Sequence, residues 1–159
     1  MSKFPEDTEM RTSEKFSRRI HELIEENECT TNKQFAELVG VSFPVIIRAA
    51  NFGIIPTTKI LIKIADSLDI SLDYLLGLTD KDEYVCAVSP STFYNRVEEL
   101  AKENNETLGG LASKMAFPRT YFYVWKKKNR LPLIEYAMFI ADHFKVSLDY
   151  LFGRTDYKN

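Results

Sequence analysis

The stretch SLDYLLGLTD at residues 71–80 returns at 147–156 as SLDYLFGRTD, with eight of its ten letters kept. A near-identity of this length in a chain of 159 residues restricts the possible folds sharply, because it marks two copies of one module. Extended outward, the 76-residue offset holds. IADSLDI (64–70) lies over IADHFKV (140–146), Pro56 over Pro132, Phe35-Ala36 over Leu111-Ala112, and Thr31 over Thr107. Before Thr31 the offset becomes 77, and Phe16, Arg19, Ile20 and Leu23 lie over Phe93, Arg96, Val97 and Leu100. Ordered identity broken by a single insertion reads as a tandem duplication. The expected division is a flexible segment 1–12, a first domain 13–80, a linker 81–88 and a second domain 89–159.

Each copy is patterned for helices. Phe16, Ile20, Leu23 and Ile24 stand at i, i+4, i+7 and i+8, as do Phe93, Val97, Leu100 and Ala101, which makes one apolar stripe per helix. Ser89-Pro90 is expected to open the second copy, as an N-cap followed by the proline favoured at the first helical position. Short helices are expected over 32–39 and 108–115, third helices after Ser42 and Pro118, and fourth helices after Pro56 and Pro132. The decapeptide is the fifth. Its Ser71 or Ser147 caps, Asp73 or Asp149 places a carboxylate at the positive end of the helix, and Leu72, Leu75, Leu148 and Leu151 fill the core. Gly77 or Gly153 then ends it. This motif reads as structural, with no ligand to touch. No sustained alternation supports a strand, so the fold class is all-α. In the linker, Tyr84, Val85 and Val88 are expected to pack.

Five short helices with a tight turn between the second and third follow the helix-turn-helix plan. TTNKQFAELVGVS, then a helix, a proline and ILIKIADSLDISLDYLLG, resembles the Cro/Xre-type helix-turn-helix domain of phage repressors and bacterial regulators. NRVEELAKENNETLGGLASKMA, Trp125, Pro132 and IADHFKVSLDYLFGRTD resemble it a second time. The resemblance implies two tandem five-helix, lambda-repressor-like helix-turn-helix domains and a sequence-specific, repressor-type transcription regulator whose partner is double-stranded DNA. The family's turn, A-x-x-x-G-V-S, is kept at 36–42, whereas the second copy has Ala116, Phe117 and Pro118 at the last three places. The glutamine that often opens the family's second helix is replaced by Asn32 and Leu108, so that contact survives only at Asn32, in shortened form.

In the family the outward residues at the start of the third helix, and one a turn later, meet base edges. Here they are Phe43, Pro44, Val45 and Arg48 in the first copy, and Arg119, Thr120, Tyr121 and Val124 in the second. Base reading needs hydrogen-bonding side chains, with arginine to guanine the commonest specific pair. The second copy supplies them through Arg119, Thr120 and Tyr121, and the first supplies only Arg48. Net charge is −2 overall, yet residues 13–80 hold seven Lys/Arg against ten Asp/Glu, and residues 89–159 hold eleven against eight. Arg119, Lys126, Lys127, Lys128 and Arg130 cluster on or just after the third helix of the second copy, so phosphate contact is expected there. Trp125 is assigned to packing. In the first copy, Phe43, Val45, Phe52 and Ile54 read as an apolar protein interface, through which the chain dimerises or its two domains pair. The alternative is therefore a protein-interaction module with a degenerate helix-turn-helix fold that acts on another regulator.

Other classes find little support. Cys29 and Cys86 lack C-x-x-C spacing and only His21 and His143 could join them, so neither a metal nor another cofactor is expected. No nucleophile–base pairing or glycine-rich phosphate loop points to an enzyme. MSKFPEDTEMRT lacks the apolar stretch of a signal peptide, and no apolar run approaches the ~20 residues needed to span a bilayer. A cytoplasmic location is the expectation, and free thiols fit it.

Overall fold

The computed structural model describes residues 12–127 and 130–159, and all regular elements among them are helices. Contacts divide the chain into two compact units, one ending at Tyr84 and the other beginning at Val85. The expected flexible segment lies outside the described residues except for Thr12, which forms an isolated bridge with Ile54.

The first unit holds α1 (Glu14–Glu26), α2 (Asn32–Val39), α3 (Phe43–Phe52), α4 (Thr58–Leu68) and α5 (Leu72–Leu75). Ser13, Thr31, Thr57 and Ser71 cap α1, α2, α4 and α5, each accepting a backbone N–H of the first turn. Such a cap contributes about 1 kcal/mol. Phe16, Ile20 and Leu23 of α1, Phe35 of α2, Ile46 of α3, and Leu61 and Ile64 of α4 are all buried and make up the core of the unit, with α1 packed on α3. A large aliphatic or aromatic side chain buried this way stabilises by about 1.5–3 kcal/mol.

The second unit holds α6 (Phe93–Glu103), α7 (Leu108–Lys114), α8 (Thr120–Lys127), α9 (Ile134–Phe144) and α10 (Leu148–Leu151). The expectation of a cap at Ser89 is corrected: Thr92 is the N-cap, with extended backbone and a hydroxyl that accepts from the Asn95 N–H at 3.1 Å. Ser89 and Pro90 lie ahead of the helix. The linker expectation is corrected as well. Val88 is 90 % exposed and Val85 is exposed. The backbone there is held by polar bonds, Ala87 N–H to the Arg154 carbonyl and Val88 N–H to the Asp156 carboxylate. Tyr84 instead donates its hydroxyl to Asp69 at 3.4 Å.

The repeated decapeptide explains itself in this geometry. Arg19 of α1 lies over the Tyr74 ring at 3.7 Å and donates to the Thr79 carbonyl at 3.2 Å. Arg96 of α6 lies over the Tyr150 ring at 4.2 Å and donates to the Thr155 carbonyl at 3.3 Å. Asp80 and Asp156 complete the pair as carboxylate partners. The Tyr, Thr and Asp of the motif are thus the receptor for one buried arginine. Gly153 (φ 71°) is left-handed, and a Cβ there would come within 1.9 Å of the Ser91 carbonyl oxygen, so only glycine fits.

The two changed letters have local consequences. Phe152 stacks on Phe93 at 5.2 Å. Arg154 forms a buried ion pair with Asp149, where the first unit has an exposed Leu78 and a half-buried Asp73. Asp149 is therefore more than the helix-end carboxylate that the sequence suggested.

Positive-φ residues recur at the offsets of the repeat: Glu28 with Asn105 at 77 residues, and Gly40 with Ala116, Asp69 with Lys145 and Gly77 with Gly153 at 76. One of these matches generates a test. Ala116 holds at φ 54° the place that Gly40 holds at φ 69°, a conformation unfavourable for any residue with a Cβ. Ala116→Gly is expected to stabilise the second unit by about 0.5–1 kcal/mol, and Gly40→Ala to destabilise the first by a similar amount. Denaturant melts read by the single tryptophan, Trp125, and by circular dichroism check both; an unchanged or lowered Trp125 midpoint for Ala116→Gly refutes the strain.

Candidate nucleic-acid interface

In the first unit, α2 ends at Gly40, and the Ala36 carbonyl accepts both the Gly40 and Val41 N–H groups. This sharp exit lets α3 pack across α2. Asn32 stands half-buried at the start of α2. The inner side of α3 is Ile46, Ala49 and Ala50, and its far end is tied to α1. Ser17 Oγ and His21 Nε2 both donate to the Ala50 carbonyl, at 2.7 and 2.8 Å. Arg48 is exposed on the outer side, four residues before Phe52, which is 66 % exposed. Val45 is half-buried and lies two turns from Phe52, hence on the same side. Phe43 is exposed but stands nine residues from Phe52, two and a half turns, and so faces the opposite way. Ile54 is half-buried beyond Gly53, with its backbone bridged to Thr12.

The second unit builds the same junction from other residues. Phe117, which replaces the valine of the turn, is buried at the centre of an aromatic cluster with Tyr121 (5.5 Å), Phe122 (5.5 Å), Trp125 (5.7 Å) and Tyr136 (5.2 Å). Trp125 is buried, in contact with Phe93 of α6. The departure from G-V-S is thus a change of packing: Pro118 follows Phe117, and α8 seats on α6 through rings. Across that seat, Tyr94 of α6 donates its hydroxyl to Glu98 at 2.8 Å, and the Lys126 ammonium lies 5.3 Å from the centre of the Tyr94 ring. The Tyr94 bond holds the Glu98 carboxyl below its ordinary range, with the charges of Lys102 and Lys126 adding to the effect. Burial, and then the bond to Glu98, push the Tyr94 phenol up.

One expected reader is displaced. Tyr121 is only 6 % exposed and stacked on Phe117, so it belongs to the core and is not presented to a ligand. Tyr123, interleaved with the cations of this stretch but absent from the transferred family positions, is the tyrosine presented outward, 61 % exposed. At 100° per residue, Arg119, Thr120, Lys126 and Lys127 all fall within about 60° of Tyr123, and each is exposed. A helical-wheel count from the buried Phe122 and Trp125 would have found it; the transferred family positions did not. Arg130 is exposed, and Lys128 lies outside the described residues.

Charge concentrates on this side because the remaining cations of residues 89–159 are engaged elsewhere. Arg96, Lys102, Lys114, Lys145, Arg154 and Lys158 each pair with a carboxylate. Among the described residues there is no group of His, Cys, Asp and Glu able to hold a metal, and no helix long and apolar enough to cross a membrane.

Compared with known families, residues 26–75 match the Helix-turn-helix family model, a stretch that runs from the last residue of α1 to the last of α5. No curated protein and no solved structure matches the chain. The first unit thus carries a helix-turn-helix, the element of DNA-binding regulators, while the basic outward side sits on α8.

The opposite placement of two neighbouring tyrosines is directly testable. Tyr121→Ala is expected to destabilise the protein by about 3–5 kcal/mol, as for other buried aromatic truncations. Tyr123→Ala is expected to stay within about 0.5 kcal/mol of the parent. Equilibrium unfolding followed by Trp125 emission decides; equal losses from the two substitutions contradict the assignment.

Proposed function

We propose that the chain is a sequence-specific, DNA-binding transcription regulator made of two tandem helix-turn-helix domains, residues 13–80 and 89–159. Its main DNA contact runs through α8 and the basic residues that follow. The observation that carries this reading is the outward side of α8, where Thr120, Tyr123, Lys126 and Lys127 are exposed with Arg119 just ahead of the helix, while six other cations of that domain are paired. Lysines supply sequence-independent phosphate attraction, and Arg119 with Thr120 supplies donors for base edges. Tyr123 adds a ring for apolar or stacking contact. The recurrence of left-handed positions at the offsets of the sequence repeat supports treating the second unit as a copy of the first.

A second role, for the first domain, is favoured by a different observation. The outward side of α3 offers Arg48 as its cation beside an exposed Phe52, in a domain with a balance of −3. Such a surface suits protein contact better than phosphate. In this reading residues 13–80 pair with a second copy or with another regulator, while residues 89–159 bind the operator.

Binding to a selected duplex and to random duplex over a range of salt tests the proposal. Lys126→Ala with Lys127→Ala is expected to weaken both about equally and to lower the salt slope by roughly 0.9 for each phosphate no longer neutralised. Arg119→Ala is expected to cost about 1–3 kcal/mol at mainly one base pair, and Arg48→Ala to do less. A parent protein that binds no duplex at low salt returns the chain to the interaction-module reading.

A further inference from the structure

The chain that joins the two units is bonded from both ends. The first unit holds it at the start of α5, where the Asp82 carbonyl accepts the Ser71 N–H at 2.9 Å and the Lys81 carbonyl accepts the Ser71 hydroxyl at 3.3 Å. Tyr84 then reaches back with its hydroxyl to Asp69 at 3.4 Å. The second unit holds it from the other end. The Ala87 N–H donates to the Arg154 carbonyl at 2.9 Å, and the Val88 N–H donates to the Asp156 carboxylate at 2.8 Å. Val85 and Cys86 stand between the two sets of bonds, and both are exposed. The segment 81–88, a linker by sequence, is thus shared out between the units.

Asp156 sets the second boundary. One of its carboxylate oxygens faces the Arg96 guanidinium at 3.3 Å, and the other accepts the Val88 N–H. Arg96 is itself buried over the Tyr150 ring, so the carboxylate that holds the linker is held in turn by the clamp of the second unit. A carboxylate is a stronger acceptor for a backbone N–H than a neutral oxygen. Val88 is 90 % exposed, so its N–H and not its side chain ties it down. The first-unit counterpart, Asp80, has a fully exposed side chain 3.8 Å from Arg19.

We propose that Val85 and Cys86 form a two-residue hinge between the units, and that Asp156 is the positioning residue that keeps the hinge short. Beyond Val88 the next residue seated on the second unit is Ser91, whose carbonyl lies against Gly153. Without the bonds at Ala87 and Val88 the joining stretch grows to 85–90. Fully extended, the chain reaches about 11 Å from Tyr84 to Ala87 and about 25 Å from Tyr84 to Ser91. In the function proposed above, that length limits which pairs of sites the domains of an assembled regulator engage together. This consequence rests on that reading; the hinge does not.

Two measurements on the full chain separate the two. In the free protein, backbone 15N relaxation is expected to show fast motion at Val85 and Cys86 and ordered amides at Ala87, Val88 and Ser89. Val88→Pro, which removes the donor and leaves the Arg96–Asp156 pair, is expected to loosen the Ala87 and Ser89 amides. Asp156→Ala is expected to do the same, and Asp80→Ala to leave the linker unchanged. A parent mobile throughout 85–90, or rigid throughout, overturns the hinge; ordered Ala87 and Ser89 amides in Val88→Pro overturn the role of Asp156. On duplexes carrying two selected sites at increasing spacing, the parent is expected to favour a narrow range about tenfold, and a variant with about ten Gly/Ser residues inserted between Val85 and Cys86 to favour none. Equal profiles overturn the limit on reach. If the parent binds no duplex, the functional reading fails, and the relaxation comparison still decides the hinge.

Discussion

Each unit is closed by one buried arginine. Arg19 and Arg96 project from the first helix of their units, stack on the tyrosine of the last helix, and donate to the carbonyl of the threonine two residues past the closing glycine. A desolvated cation–π contact contributes about 2 kcal/mol, and a hydrogen bond from a charged group about 1.5–3. The planar guanidinium can stack and donate at once, which a lysine cannot. The clamp joins the ends of the unit, and the chain beyond it returns to the last helix: the Asp82 and Lys158 carbonyls accept the N–H of Ser71 and Ser147. The helices between are thereby held against a frame that is the same in both units.

On that constant frame the third helices are free to differ. In the first unit two polar groups of α1, Ser17 and His21, fasten the far end of α3 by its Ala50 carbonyl. In the second, the matching places on α6 are Tyr94 and Glu98, and the matching place on α8 is Lys126. A carbonyl clasp has become a ring, a carboxylate and a cation. The turn changes with it, from Gly40-Val41-Ser42 to Ala116-Phe117-Pro118, with Phe117 gathering the rings that seat α8. The outcome is one helix whose outward side sets Arg48 beside an exposed Phe52, and one whose outward side is basic and hydrogen-bonding. The functions proposed for the two domains divide along the same line, because phosphate and base edges reward the second kind of surface and protein contact the first.

Much of this was legible beforehand because it is local. Helix spans followed the 3.6-residue spacing of apolar side chains, and Ser71, Ser147, Thr31 and Thr107 cap because a hydroxyl ahead of a helical stretch has one obvious use. The misses are a choice between two local helix starts and a packing that a family position does not carry. Ser89-Pro90 satisfies the local rule for a helix start, yet Thr92 caps. Tyr121 was placed outward by analogy with a family position, while Phe117 and Tyr136 claim it for the core. Tyr123, left out by that analogy, occupies the centre of the exposed side.

The sequence by itself determined the repeat, the all-helical class, the helix ends that depend on side chains within a turn, and the uneven division of charge. Those follow from composition and from neighbours three or four residues apart. Only the tertiary structure decided that Arg19 and Arg96 are buried over tyrosine rings and that Asp149 pairs with Arg154. It also decided which tyrosine of α8 faces out. A charged or aromatic side chain has no fixed preference for core or surface; its place depends on whether a distant residue arrives to satisfy it, and that arrival is a property of the folded chain.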